Sequence, residues 1–459
     1  MLKDYVLTEL KNAVGSQNVL TSKASMDAYA YDSSPFIHTP EVVVFANTTQ
    51  QVSDVMKLAD REGIVVVARG AGTSLSGGAV PIHNGIVLVL NHFNKILDID
   101  IVNEAALVEP GVVNNDLQAA AAKYGYMFAP DPSSQIVSTV GGNVAEGAGG
   151  MRGVKYGVMR DHLLGLELVL ADGSIVTTGG LNKFLPQLDF TGIFCASEGT
   201  LAIATKILVK LVRMAESVRT MMAVFSSLDE AGKAVSAIIA RGIEPTILEI
   251  MDKAMTRAVD DYIHAGFPRD AEAVLLIEVD GYEIELDRKA EKIVAVCNEY
   301  GASEVRKAGT EQERQTLWKA RRSGNGALGR IKPGYVVQDV TVPRNKLSEM
   351  LQCVLDIAKK YDVIITQVFH AGDGNMHPHL LYDPYNKEEF ARVEQATREI
   401  VISALNFGGT LTGEHGIGIE KIEYMPLAFS KEDLNFMHTI KNALDPHGVL
   451  NRGKILEPV

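Results

Sequence analysis

Cysteine is scarce in these 459 residues: Cys195, Cys297 and Cys353, with no CxxC pair among them. That argues against a disulfide framework and against a cysteine-ligated iron–sulfur cluster within the chain, and it suits small buried thiols in a reducing compartment. Long apolar runs are missing too. No stretch reaches the roughly 18 apolar residues that a spanning helix needs, so no transmembrane segment is expected. The opening stretch MLKDYVLTELKNAVG reads as a charged amphipathic helix rather than an apolar export signal, and a cytoplasmic protein is expected. Basic residues are in the minority, 44 against 57 acidic, a net charge of −13. Nucleic acid and anionic membranes are therefore poor candidate partners. Two nucleotide signatures are also absent. No strand runs into G-x-G-x-x-G, and no Lys-Ser/Thr pair closes a phosphate loop, which disfavours a nicotinamide-type fold and a Walker NTPase.

Glycine, by contrast, is abundant: 41 residues, many of them between Gly70 and Gly157. Clustered glycine lets backbone lie close to a ligand. The length calls for more than one domain. Up to about residue 215 the chain reads as short strands with Gly-rich turns, including the helix after Thr48-Thr49 and a hairpin with Asp172-Gly173 in its turn. Beyond 215, apolar strands such as RTMMAVF, TILEIM, AVLLIEV and VIITQVF alternate with amphipathic helices, which suggests a sheet with helices packed against it. Residues 426–459 form no unit of their own and are expected to pack back on the first domain.

Two segments carry the chemistry of the first part. After the strand GIVVVAR comes Arg69-Gly-Ala-Gly-Thr-Ser-Leu-Ser-Gly-Gly78. Its consecutive small residues can offer backbone N–H groups and the Thr73, Ser74 and Ser76 hydroxyls to a pyrophosphate. Alone, such a loop is as readily a plain flexible turn. The second segment is PDPSSQIVSTVGGN, residues 130–143, where Gly141 and Gly142 open a helix whose first amides are free for an anion or a ring.

The second part centres on Phe369-His-Ala-Gly-Asp-Gly-Asn-Met-His-Pro-His379 and on Gly413-Glu-His-Gly416. In a hairpin, His370 and His377 face each other across the turn, and His379 shares a face with His377. Adjacent Glu414 and His415 point opposite ways if the backbone is extended. Glu414 would then complete a His/His/Glu site for Zn, Fe or Mn, and His415 would be left as a base. A single strand histidine is more often structural than a ligand; three within ten residues, framed by Gly turns, favour a site. Arg321, in Leu317-Trp-Lys-Ala-Arg-Arg322, has the planar fork that grips a carboxylate, although a solvated helix face explains the spacing equally well. Arg322 is the better candidate of the pair for a surface residue, and Trp318 reads as core or pocket wall. A metal-dependent hydrolase would account for the histidines but leaves the Gly-rich half unused.

Taken together, RGAGTSLSGG, PDPSSQIVSTVGGNVAEGAGG, the following KYG and Ala196-Ser-Glu-Gly-Thr200 resemble the FAD-binding domain of the vanillyl-alcohol oxidase superfamily. Within it, nearly the whole chain is similar to the FAD-linked 2-hydroxyacid dehydrogenases, which include the glycolate oxidase subunit GlcD, D-lactate dehydrogenases and D-2-hydroxyglutarate dehydrogenase. The resemblance implies an α+β protein: a two-subdomain FAD-binding domain over residues 1–215, an α/β substrate (cap) domain with an antiparallel sheet over 216–425, and the segment 426–459. It implies non-covalent FAD, since the first loop holds no histidine. The pyrophosphate would lie on Gly70, Ala71, Gly72, Thr73, Ser74 and Ser76. Pro110, Ser134, Gly141, Gly142 and Asn143 would surround the flavin and ribityl, Glu198, Gly199 and Ile203 the adenosine, and Asn451 would reach the flavin. It further implies metal ligands at His370, His377 and Glu414, the proton acceptor at His415, and substrate contacts at Arg321, Asn375 and His379. The activity implied is oxidation of a small 2-hydroxy acid, D-lactate to pyruvate foremost, with electrons passed to a protein such as an electron-transferring flavoprotein. A glycolate oxidase subunit feeding an iron–sulfur subunit and a non-catalytic flavin electron carrier are the alternatives.

Overall fold

The computed structural model describes residues 2–182 and 188–457. The chain divides into two compact units: Met1–Gly149, Gly157–Met214 and Glu414–Val459 form the first, and Gly150–Tyr156 with Ala215–Gly413 the second.

Among the described residues the first unit holds three sheets, the smallest of them the antiparallel pair Tyr126–Met127 and Val212–Arg213. In one, Val42–Phe45, Ile86–Val89 and Val66–Arg69 run parallel, and Val19–Leu20 pairs antiparallel at the edge. Their Val- and Ile-rich sequences suit burial on both faces, as parallel strands require. The helix Thr49–Glu62 begins where the Thr48 hydroxyl accepts the Gln51 N–H and ends at left-handed Gly63. It buries Val52, Val55, Met56 and Ala59, the spacing visible in the sequence. The second sheet is antiparallel, in the order Ile96–Asp100, Ala105–Val108, Ile203–Lys210, Leu163–Val169, Ile175–Gly179. The Asp172-Gly173 turn joins its last two strands. Val449 and Leu450 lie in the core of the first sheet, where the Val66 N–H donates to Val449 O and the Asn451 N–H to Val66 O. The chain from Glu414 onward thus belongs to this unit, and the return from the second unit falls at Glu414, ahead of residue 426.

The second unit is built on one antiparallel sheet. Glu304–Lys307, Ser217–Phe225, Ala273–Gly281, Ile247–Asp252 and Ile364–His370 follow one another, then Asn375–Met376 and Val340–Thr341, with Gly334–Val337 and Pro378–Tyr382 pairing off the main path. The helices Leu228–Ala240, Glu283–Glu299, Leu347–Tyr361 and Lys387–Asn406 pack with one another and with the sheet. The Asp252 side chain caps the helix Lys253–Ile263 by accepting the Met255 N–H at 2.8 Å, and it also accepts from Thr366 Oγ1 and the Gln367 N–H. The short excursion Gly150–Tyr156 is anchored within this unit: Asp280 accepts from Lys155 Nζ, Tyr156 Oη and Thr246 Oγ1. Among the described residues, no helix is long and apolar enough to cross a membrane.

Candidate functional site

In the first unit the Gly-rich loop and the helix Val140–Glu146 approach each other closely. A Cβ on Gly70 would stand 2.3 Å from Thr139 Oγ1, the hydroxyl that caps this helix by accepting the Gly142 N–H. A Cβ on Gly141 would meet Pro110 at 2.6 Å, and the Gly141 N–H donates to Pro110 O. The Ser74 hydroxyl accepts from the Ser76 and Gly78 N–H groups and shapes the loop, while Ser76 is fully buried. Ser134 is half-buried in the preceding turn.

Several buried atoms around this cradle have no hydrogen-bond partner among the described residues: Asn143 Nδ2, Ser138 Oγ, Asn114 Oδ1 and Glu146 Oε2. Leaving such groups dry costs about 1–3 kcal/mol each, so they call for a polar ligand. Close-packed glycines with orphaned donors and acceptors fit the diphosphate and polar edges of a dinucleotide.

Other residues expected at the cofactor have different work. The Glu198 carboxylate accepts the Ile417 N–H at 2.7 Å and the Gly418 N–H at 2.8 Å, and so is engaged by the loop after His415 rather than open to an adenosine. Asn451, expected at the flavin, donates to Gly78 O and Glu198 O and accepts from Lys454 Nζ, which makes it a staple between loops. Ile203 is a core residue, 2% exposed, packed with Val169 and Ala171. Gly199 takes a left-handed turn at φ 68°, next to Glu198 at φ 50°. Glu146, which no motif in the sequence marks out, shares this buried pocket of charge. Burial, and then the neighbouring Glu198, pushes its carboxyl well above the usual range. Burial likewise raises Glu198 to about 7 and lowers Lys454 to about 8.

Glu414 and His415 belong to this unit. Glu414 lies against Gly149, where a Cβ would come 2.7 Å from Oε2. The expectation that the two side chains point apart fails: His415 Nε2 stands 3.9 Å from Glu414 Oε1. The backbone here is a bend, not a strand, and strand alternation does not apply.

In the second unit His370 ends the strand Ile364–His370, and a four-residue turn returns to Asn375, its cross-strand partner. Gly374 has φ 80° and so little room that a Cβ would fall 2.2 Å from Val342 O, so the turn requires glycine there. The His370 and His377 rings meet edge-on with centroids 5.1 Å apart, as the hairpin reading requires. Asn375 is buried, and its Oδ1 accepts from Thr341 Oγ1 at 3.4 Å. His379 is committed elsewhere. Its Nδ1 meets His377 O at 2.7 Å, its Nε2 meets Asn325 Oδ1 at 2.9 Å, and it is 1% exposed. With both nitrogens engaged it braces the turn instead of offering a donor to substrate.

Asp339, fully buried, accepts from Thr412 Oγ1 and the Gly413 N–H and lies 3.9 Å from His377 Nδ1. Arg321 is buried, not on a solvated face, whereas Arg322 is exposed. The Arg321 Nε and Nη2 donate to Glu249 Oε2 at 2.6 and 2.5 Å. The other oxygen of Glu249 stands 2.6 Å from His370 Nδ1. Glu249 was not singled out by the sequence reading. The signal was there, a lone carboxylate inside the apolar strand TILEIM. Trp318 is core, with its indole N–H donating to Glu278.

Residues 40–179 match the FAD binding domain family, and residues 214–455 match the C-terminal domain of FAD linked oxidases. The glycolate oxidase subunit GlcD of Bacillus subtilis is 43% identical over 99% of this chain and 97% of its own length. The D-lactate dehydrogenase of Anaerostipes hadrus is 34% identical over 91% of this chain and 89% of its own. Among solved structures, p-cresol methylhydroxylase with substrate bound aligns at a TM-score of 0.83 and 18% identity, covering 98% of this chain and 96% of that one, which speaks to the fold alone. The chain is therefore an FAD-linked oxidoreductase of the family that contains the GlcD glycolate oxidase subunits and the D-lactate dehydrogenases, built on the vanillyl-alcohol oxidase type of fold.

Proposed function

We propose that this protein oxidises a small 2-hydroxy acid to the 2-oxo acid, with D-lactate as the leading substrate and pyruvate as its product. The observation that carries the reading is Arg321: a buried guanidinium, held on one edge by Glu249, in the same unit as the paired rings of His370 and His377. A buried cation whose outer Nη1/Nη2 edge is not taken up by Glu249 suits a carboxylate. Paired imidazoles in the same unit suit a divalent cation such as Zn²⁺, Fe²⁺ or Mn²⁺.

The residues proposed for that ion are His370, His377 and Glu414. Glu414 follows by one peptide bond from Gly413, whose N–H donates to Asp339 beside His377. Such an ion, when bound, lowers the pKa of a coordinated hydroxyl. FAD, when bound, supplies the two-electron acceptor for a hydride. The chain's own contributions are separate. Arg321 orients the substrate by its carboxylate. Asn375 is proposed as a second polar contact. His415, as a neutral base, takes the hydroxyl proton at a ring nitrogen. The residues proposed for FAD are the 70–76 loop, Pro110, Ser134, Gly141, Gly142, Asn143 and Gly199.

Glycolate is the second reading, favoured by the 43% identity to a GlcD subunit. The reduced cofactor would pass its electrons to a protein, an electron-transferring flavoprotein or an iron–sulfur subunit, because three separated cysteines make no cluster here. The test is anaerobic titration of the purified holoenzyme with D-lactate and with glycolate. Bleaching of the flavin band by one at low concentration assigns the substrate. No bleaching by either defeats the reading.

A further inference from the structure

Glu249 is fully buried in the strand Ile247–Asp252, and His370 is its cross-strand partner. A carboxylate can only accept, so the 2.6 Å contact places a proton on His370 Nδ1, and in the neutral ring the lone pair is then on Nε2. Its second oxygen takes both the Nε and the Nη2 of Arg321. That engages the inner edge of the guanidinium and directs the outer Nη1/Nη2 edge away from Glu249. A buried ion pair adds little net stability against apolar residues of the same size. What this one supplies is orientation, of two groups that chain connectivity places far apart.

We propose that Glu249 is the shared positioning residue of the site: one carboxylate sets the tautomer of His370 for a divalent cation and the edge of Arg321 for the substrate carboxylate. This rests on the 2-hydroxy acid reading above. It predicts a coupled loss. In Glu249→Gln the amide oxygen still accepts from Arg321, but the amide N–H faces His370 Nδ1 and drives the ring proton to Nε2. The lone pair that would bind the cation is then gone, at nearly unchanged volume. Glu249→Asp keeps the charge and restores part of the function. Glu249→Ala frees both partners.

The test uses full-length holoenzyme with two readouts. Metal-free protein labelled with ¹⁵N-histidine, with His370→Asn to identify the signal, reports the tautomer. Titration with Zn²⁺ and Mn²⁺ reports cation affinity. The expected results are Nδ1–H in the wild type, Nε2–H in Glu249→Gln, and affinity for both ions weaker by about 10–100-fold in Glu249→Gln. KM for the hydroxy acid should rise in Glu249→Ala more than in Glu249→Gln, and flavin content should be unchanged in both. Nε2–H in the wild type, or wild-type cation affinity in Glu249→Gln, overturns the proposal. Suppose instead that the wild type takes up neither ion, while His370 carries its proton on Nδ1 and Glu249→Ala loses substrate affinity. The metal reading then fails and takes the His370 half of the proposal with it, and Glu249 stands as the positioning residue of Arg321 only.

Discussion

The Glu198 carboxylate and the Gly418 amide lie 2.8 Å apart, and with the Ile417 N–H they fix the backbone just beyond His415. Burial raises this carboxyl from 4.5 to about 7. Folding therefore favours its protonated form, and the stability this gives is full below about pH 4.5 and lost as the pH rises through 7. Thermal unfolding of the FAD-stripped protein should show a decline across that window. Glu198→Gln should make the decline shallower. An equal slope in the two proteins would mean that Glu198 does not titrate there.

Gly70→Ala and Gly141→Ala test the cradle. Each new methyl meets a close-packed neighbour, Thr139 Oγ1 in one case and Pro110 in the other. Overpacking of this kind costs about 1–3 kcal/mol. Both variants should remain folded and lose most bound flavin, read as the ratio of flavin to protein absorbance. Full flavin content in both would remove these loops from the cofactor site.

His415→Ala should keep its flavin and lose about 10²–10⁴-fold in the rate of flavin reduction by substrate. Stopped-flow measurement without oxygen isolates that step. A rate near that of the wild type would hand the base to another residue.

Arg321→Lys keeps the charge and loses the fork. It should raise KM for the 2-hydroxy acid by about tenfold or more, the value of one charged hydrogen bond, with a smaller effect on kcat. An unchanged KM would return Arg321 to a purely structural pair with Glu249.

Chelation should lower turnover while the flavin spectrum persists, because none of the residues proposed for the ion is among those proposed for FAD. Activity should return with one of Zn²⁺, Fe²⁺ or Mn²⁺. Full activity in chelator would exclude a metal at His370 and His377.

The parts that were legible in the sequence are those with a short range. His370 and His377 are seven residues apart around a glycine turn, so hairpin geometry alone brings their rings together. The helix after Thr48 and the strands of the second unit follow from periodicity and caps. Glu249 and Arg321 were not legible as a pair, because their contact depends on how a strand and a distant helix pack, which spacing does not encode. Glu414 and His415 depart from the expected geometry because a bend replaces the strand that alternation assumes. His379 and Asn451 carry the right chemistry, yet their polar atoms are consumed by neighbours visible only in three dimensions.

The interleaving of the two units bears on how the protein is made. The strand Val66–Arg69 is completed by backbone bonds to Val449 and Asn451, residues translated long after it. The first unit therefore cannot close while the ribosome is still making the second, whose main segment, 215–413, is complete earlier. Its Val-rich parallel strands wait with an open flank, the condition under which chains aggregate. The segment made first is thus the one completed last, and a chaperone or an early flavin would have most to protect in that interval.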